Sequence, residues 1–161
     1  MAGRTVNGDG MNRPSQAGFT YLAALFLIVV MGVMLAAIGK MWNTAQQREK
    51  ERELLFVGNQ FRQAIGRYYQ QSSGGVKVFP QKLEDLLLDP RQIGAQRYLR
   101  KIYRDPMTGQ AEWALFVVSD RITGVYSMSQ ETPLKSSNFR LADKAFEGAE
   151  KYGDWKFVYT P

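Results

Sequence analysis

A run of 21 residues without charge, Phe19 to Gly39, constrains this chain more than any other feature of its sequence. Within it, Leu22 to Leu35 are almost wholly Leu, Ile, Val, Met, Phe and Ala. Wound as a helix at about 1.5 Å per residue, the run reaches roughly 32 Å, enough for a bilayer hydrocarbon core of about 30 Å. The segment is therefore predicted to cross a membrane. A secretory signal peptide is the competing reading, with Ala36 and Ala37 as its small-residue cleavage site. The apolar core of such peptides is about 7 to 15 residues, shorter than this run, and a different cleavage signal stands ahead of the block. Arg4 and Arg13 precede the segment and Lys40 follows it, so the distribution of positive charge orients the N-terminus inward only weakly.

Nothing forces the helix to stop where the apolar run ends. Between Phe19 and Gln71 there is no Pro and only isolated Gly, and Asn43 to Glu53 are rich in strong helix formers. Leu54, Val57, Phe61, Ile65 and Tyr68 then recur at spacings of three and four, an apolar stripe on one helical face. The prediction is one long helix, its first half in lipid and its second half lining a core, ended by Ser72-Ser73-Gly74-Gly75. The alternating charges of Arg48 to Glu53 read as a solvated face.

Downstream, Pro80 is placed to open a short helix over Gln81 to Leu88, and Tyr98 to Tyr103 fit either helix or extended chain. Asp105-Pro106-Met107-Thr108-Gly109 has the chemistry of a tight turn. Trp113 to Val118 and Val125 to Met128 are expected as an antiparallel hairpin, residues 139–150 as a short helix, and Trp155 to Tyr159 as a last strand. Trp113, Trp155, Phe157 and Tyr159 are assigned to the core. The fold class is thus α+β, a long N-terminal helix packed on a small antiparallel sheet. Four segments follow: a leader at 1–18, a transmembrane helix at 19–39, its amphipathic continuation at 40–71, and a small α/β head at 72–161.

Composition narrows the chemistry. The 161 residues include no Cys and no His, which excludes Ser-His-Asp and Cys-His catalysis and the usual zinc ligand sets. No catalytic residue is assigned. The formal charge of +6 is spread along the chain and interleaved with acids, so nucleic acid is not an expected partner. Glu84 with Asp85 reads as the wet face of a helix, and Asp120, Glu131 and Asp143 are too scattered for a multidentate oxygen site. No metal or other cofactor is expected from the sequence.

The junction of leader and apolar run reads Ala17-Gly18-Phe19-Thr20-Tyr21-Leu22. It resembles the class III signal of type IV pilins and type II secretion pseudopilins. In these, a prepilin peptidase facing the cytoplasm cuts after Gly and N-methylates the new N-terminal Phe. The resemblance implies cleavage between Gly18 and Phe19 and N-methylation of Phe19, with Thr20 and Leu22 at the hydroxyl and apolar positions that commonly follow. A Gly leaves the scissile bond unobstructed, and a polar leader holds it in water rather than lipid. Met11 as the start would leave a leader of only Asn12 to Gly18. Arg104 to Gly109, with Trp113 leading a strand, looks like the Asp-Pro turn of pseudopilins related to the major subunit. That resemblance implies a pilin-like pseudopilus subunit in the bacterial inner membrane, N-terminus cytoplasmic and head periplasmic. Its implied partners are the peptidase, other pseudopilins, the inner-membrane secretion assembly platform and membrane lipid. Major pseudopilins tend also to bind calcium in a loop between the C-terminal strands. One departure stands out: the fifth mature position, Glu in most pilins, is Ala23 here. A minor type IV pilin or competence pseudopilin remains open, as does a membrane-anchored periplasmic enzyme or binding module.

Overall fold

A computed structural model describes residues 17–72, 76–92 and 94–161, with the side chains of 17–18 and 36–41 set aside. Residues 1–16 of the proposed leader at 1–18 lie outside the described residues. The chain divides into two compact units, Met1–Asn43 and Thr44–Pro161. One helix, α1 (Ala17–Gln70), supplies the described part of the first unit and the opening of the second. It ends at Gln70, just ahead of the predicted Ser-Gly stop.

In the first unit the described side chains from Phe19 to Leu35 are exposed, Val30 alone being half-buried. Among the described residues no helix is long and apolar enough to cross a membrane. The predicted span at 19–39 runs into 36–41, whose side chains are not described.

The second unit is organised by the predicted stripe. Leu54, Val57, Phe61, Ile65 and Tyr68 are each at most 3% exposed. Fully burying such a side chain stabilises by about 1.5–3 kcal/mol, so this face of α1 is the main apolar contribution of the helix to the core. Phe61 meets Trp113 at 5.1 Å and Tyr103 edge-on at 6.3 Å. Trp155 lies parallel to Phe146 at 5.6 Å and edge-on to Tyr152 and Phe139.

Three antiparallel strands, β1 (Ala114–Val118), β2 (Arg121–Tyr126) and β3 (Phe157–Val158), lie in the order β1-β2-β3. The hairpin is tighter than the sequence suggests. Ser119 and Asp120 both adopt positive φ, 51° and 60°, and Val118 pairs directly with Arg121. Two residues of left-handed backbone form the turn whose twist matches the flanking strands, and Asp is among the few residues that tolerate it. Ile122 and Gly124, expected in the loop, thereby pair with Val117 and Phe116, and Thr123 falls at the irregularity between those pairs. The second strand begins at Arg121 rather than Val125 and stops at Tyr126, because Ser127 turns inward to donate to Asp105 Oδ2 at 2.6 Å. Gly124 permits close pairing: a Cβ there would sit 2.7 Å from the Phe157 carbonyl oxygen.

The two short helices predicted in the head are 3-10 turns, Leu83–Leu86 and Leu141–Phe146. The first is fixed from both ends. Asp85 Oδ2 accepts from the amides of Gln81 and Lys82, and the Leu86 carbonyl accepts from those of Tyr98 and Leu99. Tyr98 to Tyr103, open between helix and strand, is irregular chain tied down by those two amides.

Candidate functional site

Gly18 and Phe19 lie in the first turns of α1, on a helix that carries no acidic residue in its first turn. The Phe19 side chain is 79% exposed, and Tyr21, Leu22 and Phe26 are similarly open. Ala23 is exposed among them. The sequence-derived site is therefore a stretch of uncovered apolar helix and not a pocket.

Polar chemistry in the second unit centres on the buried carboxyl groups of Glu51, Asp89, Asp105 and Asp143. Glu51, expected on a solvated face, is 4% exposed. Its Oε1 accepts from the amides of Leu134 and Lys135, at 2.6 and 3.0 Å, and from the Tyr152 hydroxyl at 3.0 Å. Gln47 Nε2 donates to that hydroxyl in turn, at 3.0 Å. Burial first, offset by the Gln47 donor and reinforced by the Glu51 acceptor, pushes the Tyr152 hydroxyl up to about 12. The signal was in the register: Glu51 stands three residues before Leu54 on the apolar stripe.

A second buried group closes the C-terminal end of α1. Asp89, 2% exposed, receives Arg91 Nε at Oδ1 and Arg91 Nη2 at Oδ2, at 2.9 and 2.7 Å, with Tyr98 Oη on Oδ2 at 2.9 Å. Arg91 also donates to the Tyr68 carbonyl at 3.0 Å and to Ser72 Oγ at 2.7 Å, and its guanidinium lies 3.6 Å from the Tyr68 ring centroid. A helix leaves its last carbonyls unpaired, and a cation there also meets the negative end of the helix dipole. The Arg91 hydrogen bond holds the Asp89 carboxyl below its ordinary range, and burial together with the Asp89 acceptor pushes Tyr98 up to about 12.

Asp105 and Asp143 complete the set. Asp105 is fully buried, with Oδ1 on the Met107 amide and Oδ2 on Ser127, so the Asp-Pro turn is locked to the end of β2. Asp143 is joined to Arg62 at 2.8 Å, and Arg62 lies over the Phe157 ring. Asp120 is exposed on the hairpin turn, Glu131 is exposed beside its own loop, and Glu84 is exposed next to the capping Asp85. The structure therefore does not bring Asp120, Glu131 and Asp143 together. Among the described residues no group of three acidic side chains is placed to hold a metal ion. The buried carboxyls each accept hydrogen bonds from donors of this chain and so tie its segments together. Against known protein families, curated proteins and solved structures, the chain gives no match.

Proposed function

We propose that this chain is a structural pseudopilin subunit of a type II secretion-like pseudopilus, made as a precursor and processed by a prepilin peptidase between Gly18 and Phe19. The observation that carries the reading is the first part of α1: from Phe19 onward its apolar side chains are uncovered in a unit of their own, directly after the Gly-Phe junction. Apolar surface of that extent is stable only in lipid or against other apolar helices. A subunit stored in a membrane and drawn into a helical bundle meets both conditions. Phe19 to Gly39 would hold the protein in the bacterial inner membrane, with the N-terminus cytoplasmic and the head periplasmic. Other pseudopilins and the assembly platform would be its partners in protein export. The α+β head, with a three-stranded antiparallel sheet, fits this role, and its buried carboxyl groups are engaged in holding the head together.

Intact mass of the membrane-extracted protein tests the proposal. The expected species begins at N-methylated Phe19. A chain that retains Met1 or Met11, or one cut after Ala37, would overturn it.

A further inference from the structure

Along one side of the second unit, α1 and the loop chain of residues 134–143 leave two joined clefts, of 560 and 330 Å³, sharing Arg52, Leu55 and Lys135 as lining. Cations dominate the rim: Arg48 and Arg52 from α1, Lys135 and Arg140 from the facing loop. The two acids that touch the clefts are already engaged, Glu51 by the Leu134 and Lys135 amides and Asp143 by Arg62. Arg52 has Glu49 at 2.9 Å, with both side chains at least 70% exposed, a pair worth little in water. Arg48, Lys135 and Arg140 have no acidic partner among the described residues. The walls are apolar and aromatic: Phe56 is 59% exposed and Phe139 half-buried.

The middle of the facing loop is also unpaired in its main chain. Among the described residues, the amides and carbonyls of Ser136 to Phe139 have no hydrogen-bond partner in this chain, and Asn138 holds a positive φ of 60°. Free main-chain donors and acceptors beside an apolar wall are what an added extended segment uses. Arg48 to Asn59 spans about 16 Å of helix, the reach of about five residues of extended chain. Arg48 and Arg52 stand about 6 Å apart along the helix, close to the repeat of alternate residues on one extended strand, with Lys135 and Arg140 facing them from the loop, so the cations match carboxylates on alternate residues of a strand better than a single compact anion.

We propose that this groove docks an extended acidic segment of a partner polypeptide, its carboxylates on Arg48, Arg52, Lys135 and Arg140 and an apolar side chain between Phe56 and Phe139. The inference stands apart from processing at Gly18, since every residue it uses belongs to the second unit.

Fluorescence anisotropy of a labelled Asp-Phe-Glu-Leu-Asp peptide, titrated with the full chain in detergent micelles, tests it. Saturable binding is expected that weakens as salt rises from about 50 to about 500 mM. Arg52→Glu with Arg140→Glu should weaken it by roughly tenfold or more, from reversed charge at two contacts. Phe56→Ser, at an exposed position that leaves the core intact, should weaken it independently. Absence of saturable binding by the wild-type chain overturns the proposal, and so does equal binding by a peptide with Lys in place of each acid. Displacement by inorganic phosphate or oligouridylate as effective as by unlabelled peptide would also overturn it, in favour of a general anion site. If the wild-type chain self-associates without binding the peptide, and the double substitution abolishes that association, the occupant is a second copy and the proposal fails.

Discussion

Glu51 concentrates three donors on a single carboxyl oxygen, two of them main-chain amides of a loop with no regular structure of its own. Removing the side chain strands the buried Tyr152 hydroxyl and two partly buried amides, where each unsatisfied polar group costs about 1–3 kcal/mol unless water reaches it. Glu51→Ala should therefore destabilise the second unit by about 2–3 kcal/mol in urea unfolding, and Glu51→Gln, which keeps an acceptor, by clearly less. Tyr152→Phe removes one donor and should cost about 1 kcal/mol. Its second effect is on pH. With the hydroxyl raised to about 12 in the folded state and ordinarily near 10, the stability it contributes is fully present below about pH 10 and is lost as pH rises through 12. The Phe variant should show a shallower alkaline loss than wild type, and an identical loss would mean the tyrosine is not the titrating group.

The elements are held at their ends and crossings. Arg91 serves the C-terminal end of α1 and the fully buried Asp89 side chain at once, so Arg91→Met should leave an uncompensated buried carboxyl and cost about 3 kcal/mol or more. Asp89 is depressed in the folded state, so its contribution is present above the ordinary carboxyl range and is lost as pH falls through the folded value. Thermal melts at about pH 2 to 6 should lose stability in wild type at the acid end, and Asp89→Asn should remove part of that slope. Where α1 crosses β3, Gly58 lies against the Phe157 ring, and a Cβ there would collide with ring atoms of a residue that is fully buried. At Gly66 the added atom would meet Tyr159, which is only half-buried and can shift. Overpacking typically costs about 1–3 kcal/mol. Gly58→Ala should fall at the upper end and Gly66→Ala near the lower, and the reverse order in denaturant midpoints would show that β3 yields more readily than the C-terminal tail.

For the molecule as a whole, the missing carboxylate at Ala23 bears on assembly. In the proposed role, each processed chain would bring the ammonium group of Phe19 into a packed bundle of apolar helices, where an unpaired charge is costly. Wild-type protein purified at full length is accordingly expected not to form long homopolymers. Ala23→Glu should raise self-association by offering a carboxylate to a neighbour's amine, as seen in light scattering or crosslinking. Long fibres of the wild type alone, or no change on substitution, would show that apolar packing suffices.

Periodicity made the long helix legible. An uncharged run followed by apolar residues at three-four spacing fixes both helical geometry and the face that must be covered, since those depend on local backbone repeat alone. Trp113, Trp155 and Phe157 in the core and the Asp-Pro turn were readable for the same reason, since bulk and a Pro-Gly pair act wherever they stand, whereas Tyr159, also assigned to the core, is only half-buried at its edge. Only tertiary structure decided the rest. Whether a charged residue beside the stripe is solvated or buried depends on what covers it, and the loop amides that meet Glu51 lie more than 80 residues away in sequence. The two-residue turn at Ser119-Asp120 was chosen by the pairing of its strands, and the 3-10 turns by tethers to distant carbonyls and amides, as at Leu86. The basic groove belongs to the same class, for its two walls, α1 and residues 134–143, come together only once the core between them has formed.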